Sequence, residues 1–315
     1  MTGNGKKPGV RRIGVIMGGE SAEREVSLAS GRGIADELAR LGYTVIEIDA
    51  GRDLAARAAD AEIDLAFIAL HGGAGENGAV QGLFEVMGMP YTGSGILASA
   101  AAMDKATSKI LFSRAGLRVP GHAVVEKERA EAFSAGGIGF NFPLVVKPAA
   151  EGSSIGVRIV DSETELQSAL AEAFRYGRRA LVEEYVKGKE IQIGVLGGRA
   201  IGGVEVRPKK AFYDYECKYT RGMTEYILPP DIPDDMLERL KDAALLAHRS
   251  LGCSVYSRVD FLVDESGNEY VLEVNTLPGM TPTSLMPKIA ALAGMSFGML
   301  LEEIIGASIE ERKLR

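Results

Sequence analysis

Two acids and an amide near the end of the chain have types and spacing that could do chemistry. The segments "SRVDFLVD" and "EYVLEVN" flank the turn "ESGN" and read as an antiparallel hairpin. Side chains alternate along a strand. Folded over a turn at 265–268, Val263 faces Tyr270, Phe261 faces Leu272 and Val259 faces Val274, which makes one apolar face. On the opposite face Asp260 lies across from Glu273, and Arg258 across from Asn275. Directly opposed carboxylates repel by up to about 1 kcal/mol when solvated. A divalent cation removes that cost. Asp260, Glu273 and Asn275 are hard oxygen donors of the kind Mg²⁺ takes when it also binds phosphates and water. The plainer alternative is a solvated polar face on which Arg258 neutralises one acid.

Other stretches add pieces of a nucleotide site, each with a bland alternative. "VVKPAAEGSSIG" sets Lys147 at a strand end and follows it with a loop of small residues. Such a loop can aim several backbone N–H groups at phosphate oxygens. It is not a Walker loop, because no Gly-Lys-Ser/Thr opens a helix, and a plain hairpin loop is the alternative. Lys105 and Lys109 stand four residues apart on one helix, a pattern that alone reads as a solvated face. Glu23 sits at a helix start, where an acid commonly just offsets the dipole. The stretch 207–230 lacks helical or strand period and carries Lys209, Lys210, Lys218 and Arg221 among tyrosines. A lid closing over an anion suits it, with surface charge as the alternative. His122 and His248 lack a companion acid or nucleophile and read as structural or surface residues. Cys253 reads as buried, and Cys217, beside Lys218, has no identifiable base.

The elements that must hold these residues fall into three groups. "RIGVIM", a helix through Ile34, Leu38 and Leu41 that stops at Gly42, "YTVIEID" and "DLAFIAL" alternate strand, helix, strand, strand. That alternation implies a parallel sheet covered by helices, with ligands at the strands' carboxyl ends. Gly18-Gly19 and His71-Gly72-Gly73 fall there. From about residue 94 come a single helix over "AAMDKATSKILFSRAGLRVP", a hairpin around the Gly/Ser loop, a helix opened by the capping box Ser162/Glu165, and the strand "ALVEEYV". From 188 a hairpin turns at Gly197-Gly198, then the 207–230 stretch, a long helix, the acid-bearing hairpin and a terminal helix follow. The expected division is 1–93, an α/β domain, then 94–187 and 188–315, both α+β.

Bulk properties narrow the function class. The chain has 315 residues, 46% hydrophobic and 25% charged, enough for two or three domains with real cores. A net charge of -7 argues against a nucleic-acid partner or a basic membrane surface. No apolar run approaches the roughly 18 residues of a membrane span, and the N-terminus does not read as a secretory signal. The two cysteines lack metal-ligand spacing and fit a reducing cytoplasm. A phosphate loop, lysines, a metal face and a lid together describe an ATP–Mg²⁺ site between two α+β domains, with a small substrate brought by the first. That combination points to a ligase.

The motifs "GGESAEREVS", "HGGAGENG", "MDK", "VKPAAEGSSIGV", "FYDYECKY", "RVDFLV" and "LEVNTLPGMTPTSLMP", in that order over roughly 12–305, resemble the D-alanine–D-alanine ligase family of the ATP-grasp superfamily. The resemblance implies a three-domain ATP-grasp fold with ATP between the second and third domains. It implies that two D-alanines are joined through an acyl phosphate, for peptidoglycan synthesis. By motif it assigns Glu23 to the first D-alanine's ammonium, with Ser153 and Tyr219 completing a hydrogen-bonded triad. Lys105, Lys147 and Lys218 would meet ATP phosphates, Glu183, Glu184, Tyr185 and Val186 would form the adenine hinge, and Glu190 would reach the ribose. Asp260, Glu273 and Asn275 would hold Mg²⁺, with two ions expected and Mn²⁺ as a substitute. Arg258 and the Gly279 N–H would stabilise the tetrahedral oxyanion. Ser284 and the Leu285 N–H would take the second D-alanine's carboxylate, with His71 close by. A cytoplasmic homodimer is the implied assembly. Ala74, Asn77, Ala150 and Glu184 depart from the family's usual residues, which bears on local electrostatics. Competing readings are a D-alanine–D-lactate ligase, against which Tyr219 speaks, and a non-catalytic nucleotide sensor, which would lack some of the site residues.

Overall fold

A computed structural model describes residues 10–209, 222–281 and 284–313. In chain order it contains β1 (Arg12–Met17), α1 (Arg24–Arg40), β2 (Thr44–Asp49), α2 (Leu54–Asp60), β3 (Leu65–Ile68), α3 (Ala79–Val86), α4 (Ile96–Met103) and α5 (Lys105–Arg114). Next come β4 (His122–Glu126), α6 (Ala135–Ile138), β5 (Leu144–Pro148), β6 (Arg158–Val160), α7 (Glu163–Ala173) and β7 (Arg179–Glu184). The last part holds β8 (Gly188–Leu196), β9 (Arg199–Pro208), β10 (Thr224–Ile227), α8 (Asp234–Ser250), β11 (Tyr256–Asp264), β12 (Glu269–Asn275), α9 (Leu285–Leu292) and α10 (Phe297–Lys313).

Three sheets result. The first is parallel in the order β2-β1-β3. Its strands are near-continuous apolar runs because helices cover it, and Ile13, Val15, Leu65 and Phe67 are fully buried. The second, β4-β7-β5-β6, and the third, β10-β9-β8-β11-β12, are antiparallel. The core under the first sheet is continuous with the end of the chain, for Leu300, Leu301, Ile304 and Ile305 of α10 belong to it. Among the described residues no single helix is long and apolar enough to cross a membrane. The bent pair α9–α10 has the length and composition, but this apolarity packs inside the protein.

Several local expectations hold. Gly42, at φ 87°, ends the turn after α1 in the left-handed region that favours glycine. Ser162 caps α7 by accepting the Glu165 N–H, and the Glu165 carboxylate accepts from Asp161 N–H at 2.8 Å. The hairpin at Gly197-Gly198 joins β8 to β9.

Three expectations are corrected. The single helix expected through "AAMDKATSKILF" is broken at Asp104, whose extended ψ of 98° ends α4 and whose carboxylate accepts from Thr107 N–H at 2.9 Å to cap α5. The stretch 207–230 is not without strand. β9 runs to Pro208 and pairs with β10, and residues 210–221 lie outside the described residues. The acid-bearing hairpin keeps the expected register at Arg258↔Asn275, Val259↔Val274 and Asp260↔Glu273, then slips by one residue. Beyond the slip Phe261 pairs with Val271, not Leu272, and Val263 with Glu269, not Tyr270. A bulge puts two residues of one strand opposite one of its partner. Here it turns Val271 into the core, 1% exposed, beside Val274. Leu272 then joins Glu273 along the cleft described below.

This slip separates two adjacent apolar residues by function. Val271→Ala should lower stability by roughly 1–3 kcal/mol through lost burial and a cavity. Leu272→Ala should leave stability nearly unchanged and weaken nucleotide binding. Urea unfolding and nucleotide titration of both variants check the pair, and the reverse ordering would contradict the slip.

Candidate active site

Two cavities adjoin where the three sheets meet. A chamber of about 460 Å³ is bordered by Glu23, His71, Ser153, Arg258, Gly279 and Ser284. A cleft of about 610 Å³ lies between the two antiparallel sheets, with Lys147, Tyr185, Glu190, Asp260, Leu262 and Leu272 in its walls. Lys105 and Glu273 line both, and their side chains meet at 3.2 Å.

On the chamber side, Glu23 lies at the start of α1 and is 8% exposed. Its carboxylate accepts a hydrogen bond from Ser153 Oγ, across the gap between the first sheet and the Gly/Ser loop. Ser153 and Ser154 have φ of 50° and 57°, left-handed conformations that cost non-glycine residues about 1 kcal/mol or more each. The loop's curl thus presents Ser153 to Glu23. A Cβ on Gly152 would stand 3.2 Å from Glu23 Oε2, a tight contact at this approach. Tyr219, the third member of the expected triad, lies outside the described residues.

Opposite, Ser284 precedes α9, and Leu285 is that helix's first residue. Helix N-termini present free N–H groups and positive potential to carboxylates. Ser284 Oγ lies 2.7 Å from Thr281 Oγ1 and accepts from Thr281 N–H at 3.0 Å. A Cβ on Gly279 would come within 2.9 Å of Ser284 Oγ, so a larger residue there would displace the Ser284 hydroxyl. Arg258 grips Asp260 with two bonds of 2.8 Å.

On the cleft side, Lys105 and Lys109 overturn the solvated-face reading, for they are 9% and 0% exposed. Lys105 Nζ donates to Glu151 O at 2.7 Å, and its backbone N–H donates to Ala149 O at 2.8 Å, which ties α5 to the loop after β5. Lys109 and Lys147 converge on one oxygen of Glu183, at 3.1 and 2.9 Å. Burial alone would raise Glu183's carboxyl, but the two lysine charges outweigh it and bring it down to about 2. Burial pulls Lys109 down to about 8, against the attraction of Glu183. Glu183, expected in the adenine hinge, therefore anchors two lysines through its side chain. Glu184 and Tyr185 spend their N–H groups on Gly121 O and Pro143 O. Glu190 accepts from Gln192 Nε2 at 2.9 Å. Lys218 lies outside the described residues.

Asp260, Glu273 and Asn275 keep their places on β11 and β12, and their oxygens suit a hard cation such as Mg²⁺. Each already has a partner: Arg258 for Asp260, Lys105 for Glu273, and the Leu277 N–H for Asn275 at 3.2 Å. Part of the plainer alternative is thus present, since Arg258 does neutralise an acid, but Asp260 is 4% exposed and not solvated. Among the described residues no group of three His, Cys, Asp or Glu could hold a metal, and the set here is two carboxylates and an amide.

Some residues escaped the sequence reading. Glu76 borders the chamber and accepts from Gly72 N–H at 2.9 Å. Burial, reinforced by the charge of Glu23, pushes its carboxyl up to about 8. It stands in "HGGAGENG", where an acid among glycines gave no periodic signal. Gln192 also lines the chamber and sits across from Asp260 in the β8–β11 register. His122 is half-buried, and His248 is buried against Ser257 Oγ at 2.8 Å with its ring pulled down to about 4, chiefly by burial. Cys253 is partly buried, and burial raises its thiol to about 12. Cys217 lies outside the described residues.

The Glu183 triplet has a testable pH signature. Its carboxyl titrates lower in the folded chain than its ordinary 4.5, so its contribution is full above that value and fades as pH falls toward 2. Glu183→Gln, which strands two buried lysines, should cost roughly 3–5 kcal/mol near neutrality. Urea unfolding should show the gap between wild type and variant narrowing from about pH 5 to about pH 3.

Sequence and structure comparisons agree with one another. Residues 111–306 match the family model described as D-ala D-ala ligase C-terminus, and 49–94 match the N-terminus model. A D-alanine--D-alanine ligase of Geobacter sulfurreducens is 54% identical over 295 residues, 93% of each chain. One from Citrifermentans bemidjiense is 50% identical over 298 residues, covering 95% of this chain and 96% of the relative. The crystal structure of the Bacillus anthracis D-alanine--D-alanine ligase complexed with ATP superposes with a TM-score of 0.85 at 38% identity, over 96% of this chain and 99% of that one. The Enterococcus faecalis VanG D-Ala:D-Ser ligase gives 0.83 at 31% identity, over 95% and 99%. The chain therefore belongs to the D-alanine–D-alanine ligase family of ATP-grasp enzymes, and its reaction is the ATP-dependent joining of two D-alanines.

Proposed function

We propose that the chamber holds both D-alanines, that the cleft holds ATP, and that phosphoryl transfer takes place where the two meet. The shared Lys105–Glu273 wall carries this reading, because a carboxylate in the chamber and a γ-phosphate in the cleft would come together there. A bare carboxylate is a poor acyl donor. Once it attacks the γ-phosphorus and ADP departs, the acyl phosphate offers phosphate as the leaving group. The second D-alanine, as its free amine, then attacks the carbonyl carbon, a tetrahedral oxyanion forms, the nitrogen gives up a proton to water or the departing phosphate, and phosphate leaves with its electron pair.

The residues divide this work. Glu23 receives the first D-alanine's ammonium, fixed by Ser153 and, in the family pattern, Tyr219. Arg258 and the Gly279 N–H face the oxyanion. Ser284 and the Leu285 N–H capture the second carboxylate at the α9 N-terminus, with His71 bordering that subsite. Lys105, Lys147 and Lys218 take phosphate oxygens. Glu183 aligns Lys147, while Glu184, Tyr185 and Val186 flank the adenine and Glu190 the ribose. Asp260, Glu273 and Asn275 would hold Mg²⁺, one ion or two, with Mn²⁺ as a substitute. The ion supplies positive charge to the ATP phosphates. The three sheets support domains at 1–93, 94–187 and 188–315. A cytoplasmic homodimer serving peptidoglycan synthesis completes the proposal.

The decisive assay is ADP release with Mg-ATP and D-alanine, against L-alanine, D-serine and D-lactate. D-alanine-dependent turnover is expected, and its absence would falsify the reading. Glu273→Ala should cut kcat by about a hundredfold or more while the fold is kept. Near-normal turnover with an unchanged Mg²⁺ requirement would remove Glu273 from the metal set.

A further inference from the structure

The buried ring of His71 is engaged by a serine of α1. The imidazole follows β3, is 7% exposed, and has Nε2 at 3.1 Å from Ser30 Oγ. Ser30 lies on the buried face of α1 and is fully buried. Its hydroxyl also accepts from Met280 N–H, at 3.4 Å, from a residue 250 positions away in the chain. The Leu277 backbone lies beside the ring and favours its protonated form. Ser21 Oγ donates to the His71 carbonyl at 2.6 Å and holds the residue's main chain.

Proton counting fixes the direction of the chain of bonds. A backbone N–H can only donate, so Ser30 Oγ accepts from Met280. A serine hydroxyl has one proton and two acceptor sites; Met280 takes one of those sites, and the proton of this buried hydroxyl meets no acceptor but Nε2 among the described residues, which makes Nε2 the unprotonated ring nitrogen. In the neutral imidazole Nδ1 then carries the ring proton. Burial of the ring favours this neutral form. Met280, 2% exposed, is thereby tied to one imidazole–hydroxyl pair, and Gly279 lies between it and Leu277, also 2% exposed and beside the ring.

We propose that Ser30 is a positioning residue: it locks His71 as the Nδ1–H tautomer and, with it, clamps 277–280 so that the Gly279 N–H points into the chamber. His71 thus acts on the loop and not by a hydrogen bond from its ring nitrogens to the second D-alanine. The proposal rests on the role assigned to Gly279 above, but its tautomer arm is independent of that role.

The test uses the full chain. With three histidines in the sequence, two-bond ¹H–¹⁵N spectra of the wild type, assigned with His122→Gln and His248→Gln, read the His71 tautomer directly. A pyridine-like Nε2 and a protonated Nδ1 are expected. Ser30→Ala should produce a mixed tautomer and lower kcat by about tenfold or more, with KM for ATP within about twofold, as for an interaction used only in the transition state. Ser30→Thr, which keeps the hydroxyl, should restore the wild-type tautomer. A protonated Nε2 in the wild type overturns the proposal whatever the variants do. So does a Ser30→Ala chain that changes tautomer but not kcat, or kcat but not tautomer. If wild type shows the expected tautomer but no D-alanine-dependent turnover, the assigned reaction fails and the bond direction stands.

Discussion

Lys105 against Glu273 is the contact on which the site's layout depends. The lysine opens α5, which packs on β12 and α8 and touches the second sheet only at its start, and the acid lies on β12, the edge strand of the third sheet. Neither charge could stay half-buried alone, since an unpaired ion taken from water costs several kcal/mol. Their pairing ties the start of α5 to β12. It also leaves one cavity on each side of a wall that is itself ionic. The same logic repeats deeper in the cleft, where Glu183 is tolerable only because Lys109 and Lys147 arrive from different elements. The charges are matched across segments distant in sequence, so the geometry of the site follows from closing the fold.

How much of this was legible follows from which interactions are local. The parallel sheet, the capped α7 and the Arg258↔Asn275 and Asp260↔Glu273 pairings were readable, because periodicity, capping chemistry and short turns act over a few residues. The bulge beyond Asp260 was not, since Leu272 and Val271 are equally apolar and alternation carries no mark for an extra residue. The break at Asp104 was written in the sequence as an N-cap Asp before Lys105, but the alanine-rich run before it masked the signal. Lys109 looked like surface because its partner, Glu183, lies on another strand. Ser30 gave no signal at all, for its meaning depends on Met280, two sheets later.

The first sheet shares its core with the last helices. The chamber's floor and its far wall are thus parts of one apolar body, although the chain visits them at opposite ends. Residues 277–280 inherit their rigidity from that core as much as from hydrogen bonds, with Leu277 and Met280 buried in it on either side of an open glycine. A backbone amide can serve as an electrostatic device only if it does not need to reorganise, and this packing supplies that condition.

The one-residue slip in β12 sets different rules for two kinds of genetic change. Upstream of it the strand faces one way, downstream the other, and the cleft and the core are read from the same seven residues in opposite phase. Conservative exchanges among apolar residues can drift there. Gaining or losing one residue cannot, because it would invert the phase and trade a core side chain for one lining the nucleotide cleft. Among related chains the length of this strand should therefore vary less than its composition.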